Sequence, residues 1–87
     1  MHPQPRPDPI PALKQHVAQA VVEHLHGWTG EMAAERIRTD HPRVSDLRRG
    51  RLERFSLERL VLFAMRLGAD VTIDVRWDPR RPLAPRP

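Results

Sequence analysis

Apolar residues recur at three- and four-residue spacing in four stretches of the chain, and this pattern predicts four amphipathic helices. The first stretch lies between Pro11 and Gly27. Its apolar set is Leu13, Val17, Ala20, Val21 and Leu25. The second stretch follows Thr29, a residue type suited to cap a helix N-terminus. It is about two turns long and carries Met32, Ala33, Ala34 and Ile37 on one predicted face.

The third helix is predicted from about His41 to Arg49. Asp40 supplies the N-cap oxygen, and Pro42 falls in the first turn, where its missing N–H costs nothing. Gly50 is the expected residue just beyond the helix C-terminus. The two apolar positions, Val44 and Leu47, are three residues apart and are expected to point inward.

A fourth helix is predicted from its cap, Ser56, to Gly68. Its apolar positions are Leu57, Leu60, Val61, Ala64 and Leu67. Leu52 and Phe55, in the preceding loop, are expected to hold that loop against the core.

The hydrophobic period changes to two after Gly68, which predicts a half-buried β-strand. Apolar Val71, Ile73, Val75 and Trp77 alternate with Thr72, Asp74 and Arg76. A single strand is unstable, and no other segment reads as its partner. The sequence therefore predicts antiparallel pairing with the same strand of a second copy, with Val71, Ile73 and Val75 at the dimer interface.

Prolines divide the chain, because five of the ten fall in the first eleven residues and four in the last nine. Proline fixes φ and removes a backbone donor, so neither end is expected to form a helix or a central strand. We predict a Pro-rich N-terminal tail over residues 1–11, one folded domain over 12–77, and a Pro/Arg-rich tail over 78–87. A PxxP-type ligand in either tail is a minor alternative.

Composition excludes several classes of protein. The chain has 87 residues, 15 Lys and Arg against 11 Asp and Glu, a net charge of +4, and no Cys. It therefore has no disulfide framework, Cys-ligated zinc or thiol nucleophile. The N-terminus lacks a signal-peptide pattern, and no apolar run is long enough to span a bilayer. We expect a soluble cytoplasmic protein with no membrane association.

No arrangement of residues points to catalysis. The five histidines include no pair four residues apart, and His24 and His26 diverge on a helix, so neither a metal site nor a cofactor is predicted. Ser45 and Ser56 have no neighbouring base, and so short a folded region offers little room to enclose a substrate. We expect a protein that is not an enzyme.

Arginines cluster in the middle of the chain. Residues 36–59 contain Arg36, Arg38, Arg43, Arg48, Arg49, Arg51, Arg54 and Arg59. One interpretation is a surface laced with salt bridges to nearby carboxylates. The other is a nucleic-acid interface, because two short helices joined by a three-residue break, with cations on and after the second, suit a major groove and its phosphates.

Three motifs in order resemble the Xre/Cro-type helix-turn-helix family, and in particular its HigA-like antitoxin branch. They are His41-Pro42-Arg43-Val44-Ser45-Asp46-Leu47-Arg48-Arg49-Gly50, Phe55-Ser56-Leu57-Glu58-Arg59-Leu60, and Leu67-Gly68-Ala69-Asp70-Val71-Thr72-Ile73. The resemblance extends over about residues 12 to 76. It implies a mostly α, lambda-repressor-like domain of four to five helices, with one C-terminal β-strand that pairs across a dimer.

The resemblance also implies a function and a set of site residues. Family members bind a double-stranded DNA operator as homodimers, and members of this branch often neutralise a RelE-like toxin. The base-facing residues would be His41, Pro42, Arg43, Ser45 and Asp46. The phosphate-facing residues would be Thr29, Arg48, Arg49 and Arg51. From position, Arg43 reaches a guanine edge or an adjacent phosphate, and Asp46 either orients its guanidinium or accepts from a cytosine amine. Arg48 and Arg49 also suit the helix dipole.

Three positions depart from the family pattern. Gly30 and His41 each replace a usual Gln, and Arg38 replaces the usual Gly of the turn, where a positive φ costs a non-Gly residue about 1 kcal/mol.

The three motifs and the arginine cluster together favour a DNA-binding regulator that is the antitoxin and autorepressor of a type II toxin-antitoxin pair. Two alternatives remain: a stand-alone or phage-type regulator, and a protein-binding adaptor on a helix-turn-helix scaffold.

Overall fold

A computed structural model describes residues 8–80, and these form four α-helices and one turn of 3-10 helix. The α-helices are α1 (Ile10–His24), α2 (Gly30–Ile37), α3 (His41–Arg48) and α4 (Leu57–Arg66), and the 3-10 turn spans Leu52–Arg54. The prediction of four helices is confirmed. Helix α1 begins two residues before the predicted domain boundary, since Pro11 lies in its first turn and the Asp8 carboxylate accepts from the Ile10 N–H.

Side-chain caps begin three of the helices, as the sequence predicts. Thr29 Oγ1 accepts from the Met32 N–H at 3.1 Å, Asp40 Oδ1 from the Arg43 N–H at 2.8 Å, and Ser56 Oγ from the Arg59 N–H at 3.1 Å. Each bond satisfies a backbone donor that has no partner inside its helix. These three polar side chains therefore set where α2, α3 and α4 begin.

The core lies where α1 packs on α4 and where α2 and α3 close over them. Its most deeply buried side chains are Val21, Leu25, Ile37, Val44, Leu47, Leu60 and Phe63. Phe55, after the 3-10 turn, contacts Phe63 edge-to-face at 5.9 Å between ring centroids, so the loop is held to the core as predicted. The prediction that Met32 shares a face with Ala33, Ala34 and Ile37 is wrong, because those three are buried whereas the Met32 side chain is 55% exposed.

The turn between α2 and α3 reverses the chain within three residues. Arg38 has φ 58° and ψ 55°, the left-handed conformation that the sequence predicts at this position. The Thr39 N–H donates to the Ala34 carbonyl at 2.9 Å, which ends α2 with a left-handed closing turn. Arg66, from α4, donates to the Ile37 carbonyl at 2.7 Å. The end of α2 is therefore fixed by hydrogen bonds from the turn that follows it and from α4.

Arg48 connects α3 to the loop between α1 and α2. Its Nη2 donates to the Leu25 carbonyl at 3.1 Å and to the Trp28 carbonyl at 2.8 Å. These carbonyls follow the last turn of α1, where backbone acceptors lack partners within the helix. Arg48 therefore fixes α3 relative to α1 by hydrogen bonds as well as by apolar packing.

The C-terminal segment after Gly68 is not a strand in the single chain. Residues 71–78 have no regular secondary structure, and within residues 8–80 no β-ladder is formed. A strand needs a hydrogen-bonded neighbour, and the other residues that the structure describes, which are mostly helical, offer none. Val71 packs against the core, whereas Ile73, Val75 and Trp77 are 81%, 70% and 87% exposed. The predicted pairing between two copies is not tested by one chain.

Most of the Pro-rich tails lies outside the described residues. The predicted tails span residues 1–11 and 78–87, while the structure describes residues 8–80. The suggested PxxP-type ligands therefore stay predictions.

We expect Arg48→Met to lower the free energy of unfolding by about 1–3 kcal/mol, because two carbonyls lose a charged donor while the aliphatic stem is retained. The measurement is the urea midpoint by circular dichroism. Arg49→Met is the matched control, since within residues 8–80 the Arg49 guanidinium has no partner, and it should change stability by less than about 0.5 kcal/mol. Equal midpoints for the two variants would contradict a structural role for Arg48.

Candidate nucleic-acid interface

One face of α3 is turned away from the core, opposite the helix's two buried residues. Val44 and Leu47 are 1% and 2% exposed and fix the inner side of the helix. Successive residues turn by about 100°, so Pro42, Ser45 and Arg49 lie on the outer side, with His41 at the first turn. The helix therefore presents a short polar face away from the core.

Three polar side chains, two on α3 and one at its C-cap, have no internal partner in the described residues. Within residues 8–80, the His41 imidazole, the Ser45 hydroxyl and the Arg49 guanidinium take part in no hydrogen bond or ion pair. Their donors and acceptors are therefore available to an external ligand. All three belong to the set that the sequence predicts at a DNA interface.

Arg43, by contrast, has partners within the protein, because its guanidinium is directed toward the 3-10 turn and the residue after it. Its Nη1 donates to the Arg54 carbonyl at 3.2 Å, and its Cζ lies 5.7 Å from the centroid of the Phe55 ring. Both contacts are made by residues that follow α3 in the chain. The predicted orientation of Arg43 by Asp46 is wrong, since the described chain contains no bond between them.

Asp46 forms ion pairs with two arginines that follow α3 in the chain. Its Oδ1 is 3.7 Å from Arg51 Nη1, its Oδ2 is 3.7 Å from Arg54 Nη1, and its side chain is only 14% exposed. Ion pairs of this length at a partly exposed position contribute little stability, at most about 1 kcal/mol. Their effect is to hold the segment after α3 against that helix and to neutralise part of its charge.

The four predicted phosphate contacts fall into different environments. Thr29 Oγ1 accepts the capping bond of α2, which leaves its O–H free to donate. Arg48 donates to two carbonyls of the protein and Arg51 pairs with Asp46. Arg49 alone among these four keeps a guanidinium with no partner in residues 8–80. The structure therefore separates Arg49 from its neighbour Arg48, which sequence reasoning treats alike.

A polar groove of about 320 Å³ adjoins the turn, and three arginines are among the residues that line it. Its cationic residues are Arg43, Arg54 and Arg59, and its other lining residues include Thr39, Ser56 and Phe55. Sequence reasoning includes Arg54 and Arg59 in the arginine cluster but not among the site residues. Arg54 ends the 3-10 turn and Arg59 lies in α4, and no short-range pattern signals that both line a groove with Arg43.

The arginine cluster is not laced with salt bridges. Among its members, and within the described residues, ion pairs join Arg51 and Arg54 to Asp46 and involve no other arginine of the cluster. Arg43 and Arg48 bond neutral carbonyls, so they keep their charge. Residues 36–59 contain eight arginines against four carboxylates, so the segment around α3 carries a net positive charge, which attracts polyanions.

Residues 8–80 contain no group of His, Asp and Glu side chains that could hold a metal ion. None of the helices there is long and apolar enough to cross a membrane.

The two helices α2 and α3, joined by a capped three-residue turn, define a helix-turn-helix domain. A family model described as a helix-turn-helix domain matches residues 6–76. A solved structure provisionally named as an XRE-family transcriptional regulator is 34% identical and superposes with a TM-score of 0.75, and the match covers 88% of this chain and 89% of that chain. The chain therefore belongs to the XRE-type helix-turn-helix family, a class of DNA-binding regulators. A search of curated proteins finds no match.

We expect Asp46→Asn to raise the affinity for non-specific duplex DNA about 2- to 5-fold, because Arg51 and Arg54 lose their carboxylate. Glu53→Gln is the matched control, since it removes one negative charge at an exposed residue that forms no ion pair in the described chain. Fluorescence anisotropy with labelled duplexes measures both variants. If Asp46 instead reads a cytosine, the variant loses about 1–3 kcal/mol of discrimination at one base pair.

Proposed function

We propose that this protein binds double-stranded DNA sequence-specifically and regulates transcription, with α3 in the major groove. The observation that carries the proposal is the outer face of α3, where His41, Ser45 and Arg49 have no partner in residues 8–80. Polar groups without internal partners on an exposed helix suit the donor and acceptor pattern of base edges. The surrounding cations, which largely lack carboxylates, suit the phosphates on either side.

Each predicted site residue receives a role in this docking. Pro42 and Ser45 face base edges, because they lie on the side of α3 opposite Val44 and Leu47, and His41 joins them from the first residue of the helix. The contacts of Arg43 with Arg54 and Phe55 favour a phosphate rather than a base as its ligand. Asp46, paired with Arg51 and Arg54, limits the charge beside the groove.

We assign the contacts with the DNA phosphates to two groups of residues. Arg49 and Thr29 retain free donors on the side of α3 and α2, whereas Arg43, Arg54 and Arg59 surround the polar groove beside the turn. Guanidinium groups bind phosphate oxygens well because they are planar and always charged. Arg48 contributes indirectly, by fixing α3 through the Leu25 and Trp28 carbonyls.

The test starts from randomised duplexes long enough for two half-sites about 34 Å apart, from which the preferred sequence is selected. We expect Arg49→Ala to weaken binding to preferred and scrambled duplexes alike and to lower the salt slope by about one per subunit. Arg43→Ala should behave the same way if it contacts phosphate. A loss of about 1–3 kcal/mol confined to one base pair would instead assign Arg43 to base reading.

Two results would reject the proposal. One is a selection that enriches no sequence, which would favour the adaptor alternative. The other is unchanged DNA affinity in a folded variant that combines His41→Ala, Ser45→Ala and Arg49→Ala.

We also propose that the protein acts as a homodimer through residues 71–77. Ile73, Val75 and Trp77 carry large apolar side chains that a single chain leaves exposed. Alternation places them on the same side of an extended segment as Val71, which packs on the core. Antiparallel pairing with a second copy satisfies the backbone groups of this segment and removes the apolar side chains from water.

We expect Ile73→Asp to give monomers in light scattering, because it buries a charge in the shared apolar face. Thr72→Asp is the matched control, since it adds the same charge on the alternate side, and it should stay dimeric. Operator affinity should fall for Ile73→Asp, because two half-sites need two recognition helices. A dimeric Ile73→Asp variant would exclude this interface.

The finer assignment as a HigA-like antitoxin and autorepressor rests on the resemblance of the three sequence motifs. Helix α1 with the N-terminal tail is our candidate surface for a RelE-like toxin. Ile10 and Leu13 on this helix are 39% and 45% exposed, which supplies apolar contact area away from α3.

Co-expression with the product of the neighbouring gene tests this assignment. We expect that product to arrest growth when expressed alone and to co-purify with this protein when the two are expressed together. Paired substitution of Ile10 and Leu13 by Ser should abolish co-purification and leave DNA binding intact. A harmless neighbour, or one that never co-purifies, would favour the stand-alone regulator.

A further inference from the structure

The first residues of α2 and α3 contact each other. Gly30 begins α2 and His41 begins α3, and the His41 imidazole lies directly against the Gly30 α-carbon. A Cβ at Gly30 would overlap Nε2 and Cδ2 of the ring. Two of the three departures from the family pattern are therefore neighbours in space, although eleven positions separate them in the sequence.

We propose that Gly30 and His41 form one specificity-determining pair, in which the absence of a side chain at Gly30 seats the His41 imidazole for a guanine edge. This inference rests on the proposed function, because it assigns a contact within the same DNA interface. The ring edge against Gly30 carries Nε2 and Cδ2, which leaves Nδ1 on the other side of the ring, and the ring has no hydrogen-bond partner among residues 8–80. An N–H at Nδ1 is therefore free to donate to guanine O6 or N7.

The contact with Gly30 restricts the rotamers of the His41 side chain, and this affects the free energy of DNA binding. An exposed side chain at the start of a helix samples several staggered rotamers, and binding must select one of them. The surface left open by Gly30 favours the rotamer that the structure contains, so less rotamer freedom is lost when DNA binds. Any larger residue at position 30 takes that space and moves the imidazole away from its seat.

The nearest obstacle to a side chain at position 30 is the imidazole and not the backbone. Gly30→Ala should therefore displace the flexible His41 side chain and leave the packing of α2 against α3 intact. Alanine is also the better helix former, so the thermal midpoint should be unchanged or higher. This separates a recognition defect from a folding defect.

The experiment is a double-mutant cycle on the duplex selected from the randomised pool. We expect Gly30→Ala and His41→Ala each to lower affinity about 3- to 10-fold and to reduce preference at the same base pair. In the His41→Ala background, Gly30→Ala should have no further effect, because there is no imidazole left to displace.

The possible results distinguish a failure of the Gly30–His41 pair from a failure of the whole DNA interface. Additive losses, or losses equal on all duplexes as expected for a phosphate contact, would overturn the pair while leaving DNA binding in place. If the wild-type protein selects no sequence, the proposed function fails and the pair fails with it.

Discussion

The three-residue turn between α2 and α3 determines where the outer face of α3 points, and the rest of the interface depends on it. Arg38 must adopt φ 58° for the chain to reverse at once, and Asp40 must cap α3 immediately afterwards. The cost of a left-handed arginine is about 1 kcal/mol or more. Bonds from Thr39 to Ala34 and from Arg66 to Ile37 offset it, because both satisfy carbonyls at the end of α2.

Arginine has two separate uses in this small domain. Arg48 and Arg66 act within the protein, where their guanidinium groups donate to carbonyls near the ends of α1 and α2. Arg49 faces outward without a partner in the described chain, and Arg59 lines the polar groove. A domain with few residues to bury can gain rigidity from such donors, because each links two helical segments by charge-assisted hydrogen bonds.

The sequence predicts those features that depend on near neighbours in the chain. Thr29, Asp40 and Ser56 are each followed three residues later by the N–H they bond, so local spacing is enough to find the caps.

The direction of the Arg43 side chain is decided by Arg54 and Phe55, eleven and twelve positions away, and no periodic pattern encodes that approach. The contact between Gly30 and His41 is hidden for the same reason. The strand could not be judged from one chain, because its hydrogen-bond partner belongs to another molecule.

The exposed apolar side of residues 71–77 has a consequence for the dose response of the regulator. If DNA binding requires the proposed dimer, the amount of active species depends on the square of monomer concentration when monomers predominate. A segment of seven residues buries limited area, which favours dissociation at low abundance. If the protein represses its target, as the proposed autorepressor role implies, transcription would stay almost fully on until the protein accumulates past a threshold, and would shut off steeply above it.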